Sequence, residues 1–399
     1  MARGTQRSSF VALHPGAWIP AGSTAGTQPL WLAASSGPVP SPVRHVDVLV
    51  IGAGQAGLAT AHELHRSGLR GYTDGRAPAG RYAVLDAEVR PGGAWQHRWP
   101  TLTMETVNGV SDLPGMAMKE TDPSTMAAVA VSEYFTVYED HFDFPIFRPV
   151  LVTSVGDYEG GYRVETTAGT WLARAVVNAT GTWTRPFVPY YPGITSFAGI
   201  QLHSQDYRGP SIFTRRRVAV VGGGISATQH IAEIYPHASK VAWFTRREPD
   251  WVDSGGVLLD GMHVEASVRD RVERGLPPRS VVSETGLIVT DSIREAYRAG
   301  VYRRRPMFTE ITKAGVIEAD GTEWVADFII WATGFRAELR HLAPLRLRNR
   351  AGGITMVGTA VASRPTLHLL GYGPTASTTG ARWGARRAVR QLKKELGIH

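Results

Sequence analysis

The chain contains no cysteine. That excludes disulfides, thiolate metal sites and a redox-active Cys-x-x-Cys pair, so no electrons can pass to an intramolecular dithiol. No apolar run approaches the ~18 residues needed to span a bilayer, and no membrane partner is expected. Acidic residues are absent before Asp47, and the stretch up to Arg44 is rich in Pro, Gly, Ser and Ala. Arg3 and Arg7 mimic a targeting n-region, but Pro15, Gly16, Pro20 and Gly22 break any apolar segment behind them. Residues 1–44 therefore read as a flexible N-terminal extension, with the cytoplasm as the expected compartment. A recognisable nucleic-acid module is also missing. The net charge of +8 is dispersed, apart from Arg215-Arg216-Arg217, Arg303-Arg304-Arg305 and the C-terminal stretch. Anionic dinucleotides and a solvated surface account for it without nucleic acid. No metal site is expected.

Glycine, by contrast, is abundant and ordered. Two glycine-rich fingerprints stand out, Gly52-Ala53-Gly54-Gln55-Ala56-Gly57 and Gly222-Gly223-Gly224-Ile225-Ser226-Ala227. One such loop alone is weak evidence; two in strand–turn–helix context are strong. The first follows the apolar run Val46–Ile51, as expected of a parallel strand buried on both faces, and precedes Leu58, Ala61 and Leu64 at helical spacing. Gly52 permits the tight turn, Gly54 lets the backbone approach a pyrophosphate, and Gly57 allows close helix–strand packing. The diphosphate would sit against free N–H groups at the helix N-terminus. Asp86, ending the run Ala83-Val84-Leu85, is the expected ribose ligand. It lies farther along than the usual ~20 residues, with the excess in an inserted turn-rich loop over 71–80. Glu88 reads as a solvated neighbour.

The second loop follows Arg217–Val221, and Ala227 is a tolerated variant at its third glycine position. The next strand, Val241–Thr245, ends in Arg246-Arg247 where NAD-binding loops carry an acid. Arginine there suits the 2′-phosphate of NADPH through bidentate contacts.

The fold class expected is α/β, with two Rossmann-like dinucleotide-binding domains. The element Ala175–Gly181 recurs as Phe328–Phe335, each after a hairpin-like segment. This duplication places the NADPH domain, with a linker motif, at residues 186–331, inserted into an FAD domain of residues 45–185 and 332–399. Thr180-Gly181 and Thr333-Gly334 mark the crossings. The final helix begins near Thr378-Thr379-Gly380, where free N–H groups could stabilise a reduced flavin ring.

Taken in order, these motifs resemble the flavin-containing monooxygenase family, of the class B flavoprotein monooxygenases. The matching elements are the loop at Gly52–Gly57, then Gly92-Gly93-Ala94-Trp95, the segment Phe197–Tyr207, the loop at Gly222–Ala227 and Ala332-Thr333-Gly334-Phe335. Phe197–Tyr207 fits the family pattern F-x-G-x-x-x-H-x-x-x-Y/F; Baeyer–Villiger enzymes usually end it in Trp, and Tyr207 points away from them. The resemblance implies FAD and NADPH as cofactors, and a small-molecule substrate and molecular oxygen as reactants. NADPH reduces the flavin, a flavin hydroperoxide forms, and a soft N or S centre takes one oxygen atom. It further implies that His203 couples the linker to catalysis without acting as a general base, and that Gly93, Ala94 and Trp95 lie near the flavin. One departure stands out. Many members carry an Asn beside the flavin, where this chain has Glu105; Asn108, three residues on, is the candidate substitute. Alternatives left open are an NADPH–flavin reductase without oxygen transfer, a Baeyer–Villiger monooxygenase and a redox-sensing flavoprotein.

Overall fold

The computed structural model describes residues 43–74, 79–107, 109–252, 268–278 and 286–398. Residues 1–42 of the expected extension and Asn108 lie outside them, whereas Val43 and Arg44 already belong to the first strand. Two sheets, the first mixed with a parallel centre and the second parallel, organise the described chain. In the first, strands Arg364–Leu369, Gly169–Asn178, Val43–Ile51 and Arg81–Leu85 lie side by side in that order, all parallel. Period-2 alternation divides Val43–Ile51 between two cores. Val48 and Val50 pack with helices Gln55–Arg66 and Thr378–Leu396, whereas Leu49 and Ile51 join Val155, Val164 and Leu342 on the other face. Both faces are covered, and this explains the continuous apolar run.

The second sheet is parallel throughout, in the order Arg304–Pro306, Lys240–Thr245, Arg217–Val221, Phe328–Trp331, Ile200–His203. Val218 and Val220 face Ile231 and Ile234 of helix Ile225–Ile234, while Ala219 and Val221 face Phe308, Ile311 and Val316. Its strands occupy residues 200–331, between strands of the first sheet, so one Rossmann-like unit is inserted into the other. Both anticipated hairpins form, with Thr166 opposite Gly169 and Ile317 opposite Glu323. The turn-rich loop is preceded by a short edge strand, Arg70–Gly71, paired parallel to Arg81-Tyr82. Buried Asp47 anchors the far side of that loop by accepting from the Gly80 amide and from Arg174 at 2.9 Å. No helix among the described residues is long and apolar enough to cross a membrane.

Candidate functional site

The two glycine loops repeat one another atom for atom in their logic. At Gly52, φ is +100° and an added Cβ would lie 2.7 Å from the Ala179 carbonyl oxygen. At Gly222, φ is +138° and the corresponding atom would lie 2.1 Å from the Ala332 carbonyl oxygen. Only glycine meets both demands. The Ala179 amide donates to the Ile51 carbonyl and the Ala332 amide to the Val221 carbonyl, each at 2.8 Å. The repeated Ala-Thr-Gly element is thus the floor on which each loop turns.

Gly54 and Gly224 differ from the first glycines. A Cβ at either would meet nothing within 4 Å, so both face open space. Each is the N-cap of its helix, without a side-chain cap, and neither helix has an acid in its first turn. The N–H groups at both helix starts are therefore available to an anion. Gln55 donates to the Ser111 carbonyl at 2.9 Å, yet its Oε1 is enclosed without a donor. Such an orphaned acceptor beside an open cradle fits a ligand that brings a donor. At the third position an added Cβ on Gly57 would stand 1.8 Å from the Gly52 carbonyl oxygen, whereas Ala227 is accommodated and fully buried. Ala56, Ile225 and Ser226 complete the two helix starts.

Around the first loop, Gly93 comes so close that its Cβ would be 2.9 Å from the Gly54 Cα. This brings Gly92-Gly93-Ala94-Trp95 against the cradle. Asp86 is buried at the end of its strand, and Arg148 donates to its Oδ2 from Nε at 2.9 Å while pairing with Glu139 at 2.7 Å. The expected ribose carboxylate is therefore held by a guanidinium that no local motif singles out. Glu88 is paired with His97 at 2.7 Å. On the opposite side Ser111 and Thr379 share a 2.8 Å hydrogen bond, which sets the start of the Thr378–Leu396 helix beside the loop.

The two crossings run against each other. Phe187 donates to the Gly334 carbonyl at 3.0 Å, Arg336 to that of Arg185 at 2.8 Å, and Glu338 to that of Gly181 at 2.9 Å. The Thr180 hydroxyl donates to the Glu338 carbonyl at 2.7 Å, and that of Thr333 to the Phe187 carbonyl. His203 is pinned to this pair. Its Nε2 donates to the Gly334 carbonyl at 3.0 Å, and its Nδ1 accepts from the Gln205 amide at 3.1 Å. Burial holds the imidazole pKa below its ordinary value. With both nitrogens taken by backbone, it is a neutral clamp on the linker.

Glu105 precedes Thr106, whose carbonyl accepts from Gln229 of helix Ile225–Ile234 at 2.9 Å. Glu105 itself is exposed, and it borders a surface hollow formed with Met104, Met118, Lys119, Thr121 and Pro123, none of which belongs to either cradle. At the end of the Lys240–Thr245 strand, Arg246 and Arg247 are exposed and have no ion pair among the described residues.

The family described as pyridine nucleotide-disulphide oxidoreductase matches residues 49–363. A solved flavin-containing monooxygenase from Stenotrophomonas maltophilia is similar to this chain, with 36% identity, coverage of 88% of this chain and 99% of that one, and a TM-score of 0.74. A Baeyer–Villiger monooxygenase of Streptomyces coelicolor is 26% identical over 77% of this chain and 67% of its own length. An uncharacterized oxidoreductase CzcO-like protein of Geobacillus kaustophilus is 27% identical over 73% of this chain and 81% of its own.

Proposed function

We propose that this chain, which belongs to the pyridine nucleotide-disulphide oxidoreductase family and to the flavin-containing monooxygenases, transfers one oxygen atom to a soft nitrogen or sulfur centre of a small molecule. It is an FAD- and NADPH-dependent oxidoreductase. Having no cysteine, it lacks the dithiol that the family's description implies. The observation that carries the proposal is the pair of open cradles at Gly54 and Gly224, each a helix N-cap without competing acid.

When bound, FAD supplies the hydride acceptor and the oxygen-activating ring. The chain's residues bind and orient. Gly54, Gln55, Ala56, Gly57 and Gly93 would take the flavin dinucleotide's diphosphate, Asp86 its ribose, and Ala94, Trp95 and Thr180 the ring end. Gly224, Ile225 and Ser226 would take the NADPH diphosphate, with Arg246 and Arg247 on the 2′-phosphate and Thr333-Gly334 toward the nicotinamide. His203 fits a positioning residue, because its neutral ring ties Ile200–His203 to the crossing at Gly334. We propose an FAD domain of residues 45–185 and 332–399 and an NADPH domain of residues 186–331.

The test is to reduce the purified enzyme anaerobically with NADPH and mix it with oxygenated buffer. A monooxygenase returns to oxidised flavin in two spectral phases and, once a panel of amines and sulfides is supplied as oxygen acceptors, releases less hydrogen peroxide than the NADPH it consumes, the difference appearing as N- or S-oxide and water. A single-phase return with one peroxide per NADPH would instead show a reductase and overturn the proposal.

A further inference from the structure

Among the described residues Arg98 is a largely enclosed cation with no hydrogen-bond acceptor or counter-charge. The residue is mostly enclosed, and its Nε is cut off from solvent with no acceptor. None of the ion pairs of the described residues includes it. What surrounds it is aromatic. The guanidinium carbon lies 5.4 Å from the Trp95 ring centroid and 4.8 Å from that of Trp183. Trp183 stacks on Phe335 at 5.1 Å, and Phe335 meets the His203 ring edge-on at 4.9 Å. Cation–π contact recovers only part of the hydration that burial removes, and burial lowers the guanidinium pKa from its ordinary value. A buried charge normally has a counter-charge.

The position identifies where that counter-charge comes from. Trp95 belongs to the turn against the first cradle, and Trp183 and Phe335 belong to the two crossings. Arg98 therefore stands between the flavin loop and the inter-domain linker. The anionic groups of both cofactors already have receivers elsewhere: the starts of helices Gln55–Arg66 and Ile225–Ile234 for the diphosphates, Arg246-Arg247 for the 2′-phosphate, and the Thr378–Leu396 helix start for a reduced ring. The remaining anion is the substrate's. We infer that Arg98 binds a carboxylate of the substrate, so that the small molecule oxygenated here is an acid carrying its soft centre close to that carboxylate. A planar fork flanked by indole rings suits bidentate carboxylate recognition, and the rings would cover the adjoining apolar part of the ligand. The inference rests on the monooxygenase reading above.

The experiment uses the FAD-loaded enzyme with NADP⁺ present. Acetate, butyrate and phenylacetate are each titrated beside their neutral amides, following tryptophan fluorescence and flavin absorbance. At least one acid should saturate the signal and bind tenfold or more tightly than its amide. Arg98→Gln should erase that preference by weakening the acid alone, while FAD occupancy and the NADPH dissociation constant stay within twofold of the parent. Should Arg98→Gln not fold, Arg98→Lys keeps the charge but loses the fork, and the acid should still weaken severalfold relative to the amide. No preference for any acid in the parent enzyme would overturn the inference while leaving the monooxygenase reading intact. Loss of FAD, or a tenfold weaker NADPH, in the glutamine variant would overturn it by assigning the cation to a cofactor. A parent enzyme that binds no FAD would overturn both readings.

Discussion

At Gly52 a methyl group would collide with the Ala179 carbonyl in a backbone conformation that L-residues avoid, whereas at Gly54, two residues on, it would enter empty space. The two substitutions should therefore fail differently. Gly52→Ala is expected to lose on the order of 2–3 kcal/mol of stability from strain and crowding. Gly54→Val should unfold within about 0.5 kcal/mol of the parent in urea but purify without yellow colour, because its side chain would occupy the proposed diphosphate position. Retention of full FAD by Gly54→Val would contradict that assignment. His230 supplies a second residue-scale prediction. It is fully buried between Trp99, at 4.9 Å, and Tyr207, at 4.1 Å, with neither ring nitrogen bonded. Burial lowers its pKa from 6.5 to about 3. A base with a depressed folded pKa binds its proton in the unfolded chain first, so between about pH 6.5 and 3 its contribution falls as pH falls. His341 and His368, both lowered to about 4, act in the same direction. His230→Phe should flatten the stability-versus-pH slope in that window by up to about 1.4 kcal/mol per pH unit, measured by urea unfolding at stepped pH; an unchanged slope would show that the imidazole already titrates normally. The glycines were legible in the sequence because spacing encodes their role. His230, Arg98 and Arg148 were not, since nothing local distinguishes an enclosed cation or imidazole from a solvated one.

Strands and helices were easier to read, because period and punctuation are local. The apolar runs before both loops, the hairpins around Gly169 and Gly321, and the final helix all follow from alternation or from turn residues. The edge strand Arg70–Gly71 is too short to leave such a signal, and its partner lies across a loop. The strand end at Thr245 bears a further prediction. Arg304 donates to the Thr245 hydroxyl at 3.0 Å and pairs with Glu248 at 3.1 Å, which leaves Arg246 and Arg247 as the exposed cations there without an ion pair among the described residues. Replacing both by Ala should raise the Michaelis constant for NADPH at least tenfold, and that for NADH less than threefold, since a phosphate contact of this kind contributes about 1.5–3 kcal/mol. Equal effects on the two cofactors would remove these arginines from the 2′-phosphate site.

Across the whole molecule, one carboxylate ties distant stretches together. Glu233, on the Ile225–Ile234 helix, accepts from Trp99 Nε1 at 3.0 Å, from the Thr101 hydroxyl and from the Tyr207 hydroxyl at 2.9 Å. Trp99 and Tyr207 are buried, so losing their acceptor strands two donors. Glu233→Leu should cost about 2–4 kcal/mol in urea unfolding, while Glu233→Gln, which keeps one acceptor oxygen, should cost less than half as much. Equal losses would show that packing and not acceptance is at stake. Long-range ties of this kind cannot be read from a sequence, whereas the insertion of one sheet into the other could be, because the Ala-Thr-Gly floor is written twice. That insertion has a consequence for synthesis on the ribosome. The strands of the inserted sheet have all been synthesised by Trp331, but the first sheet waits for Arg364–Leu369, and its helical cover for Thr378–Leu396. The half encoded first is finished last. A nascent chain thus carries every strand around its second glycine loop while the sheet around its first glycine loop is still missing a wall.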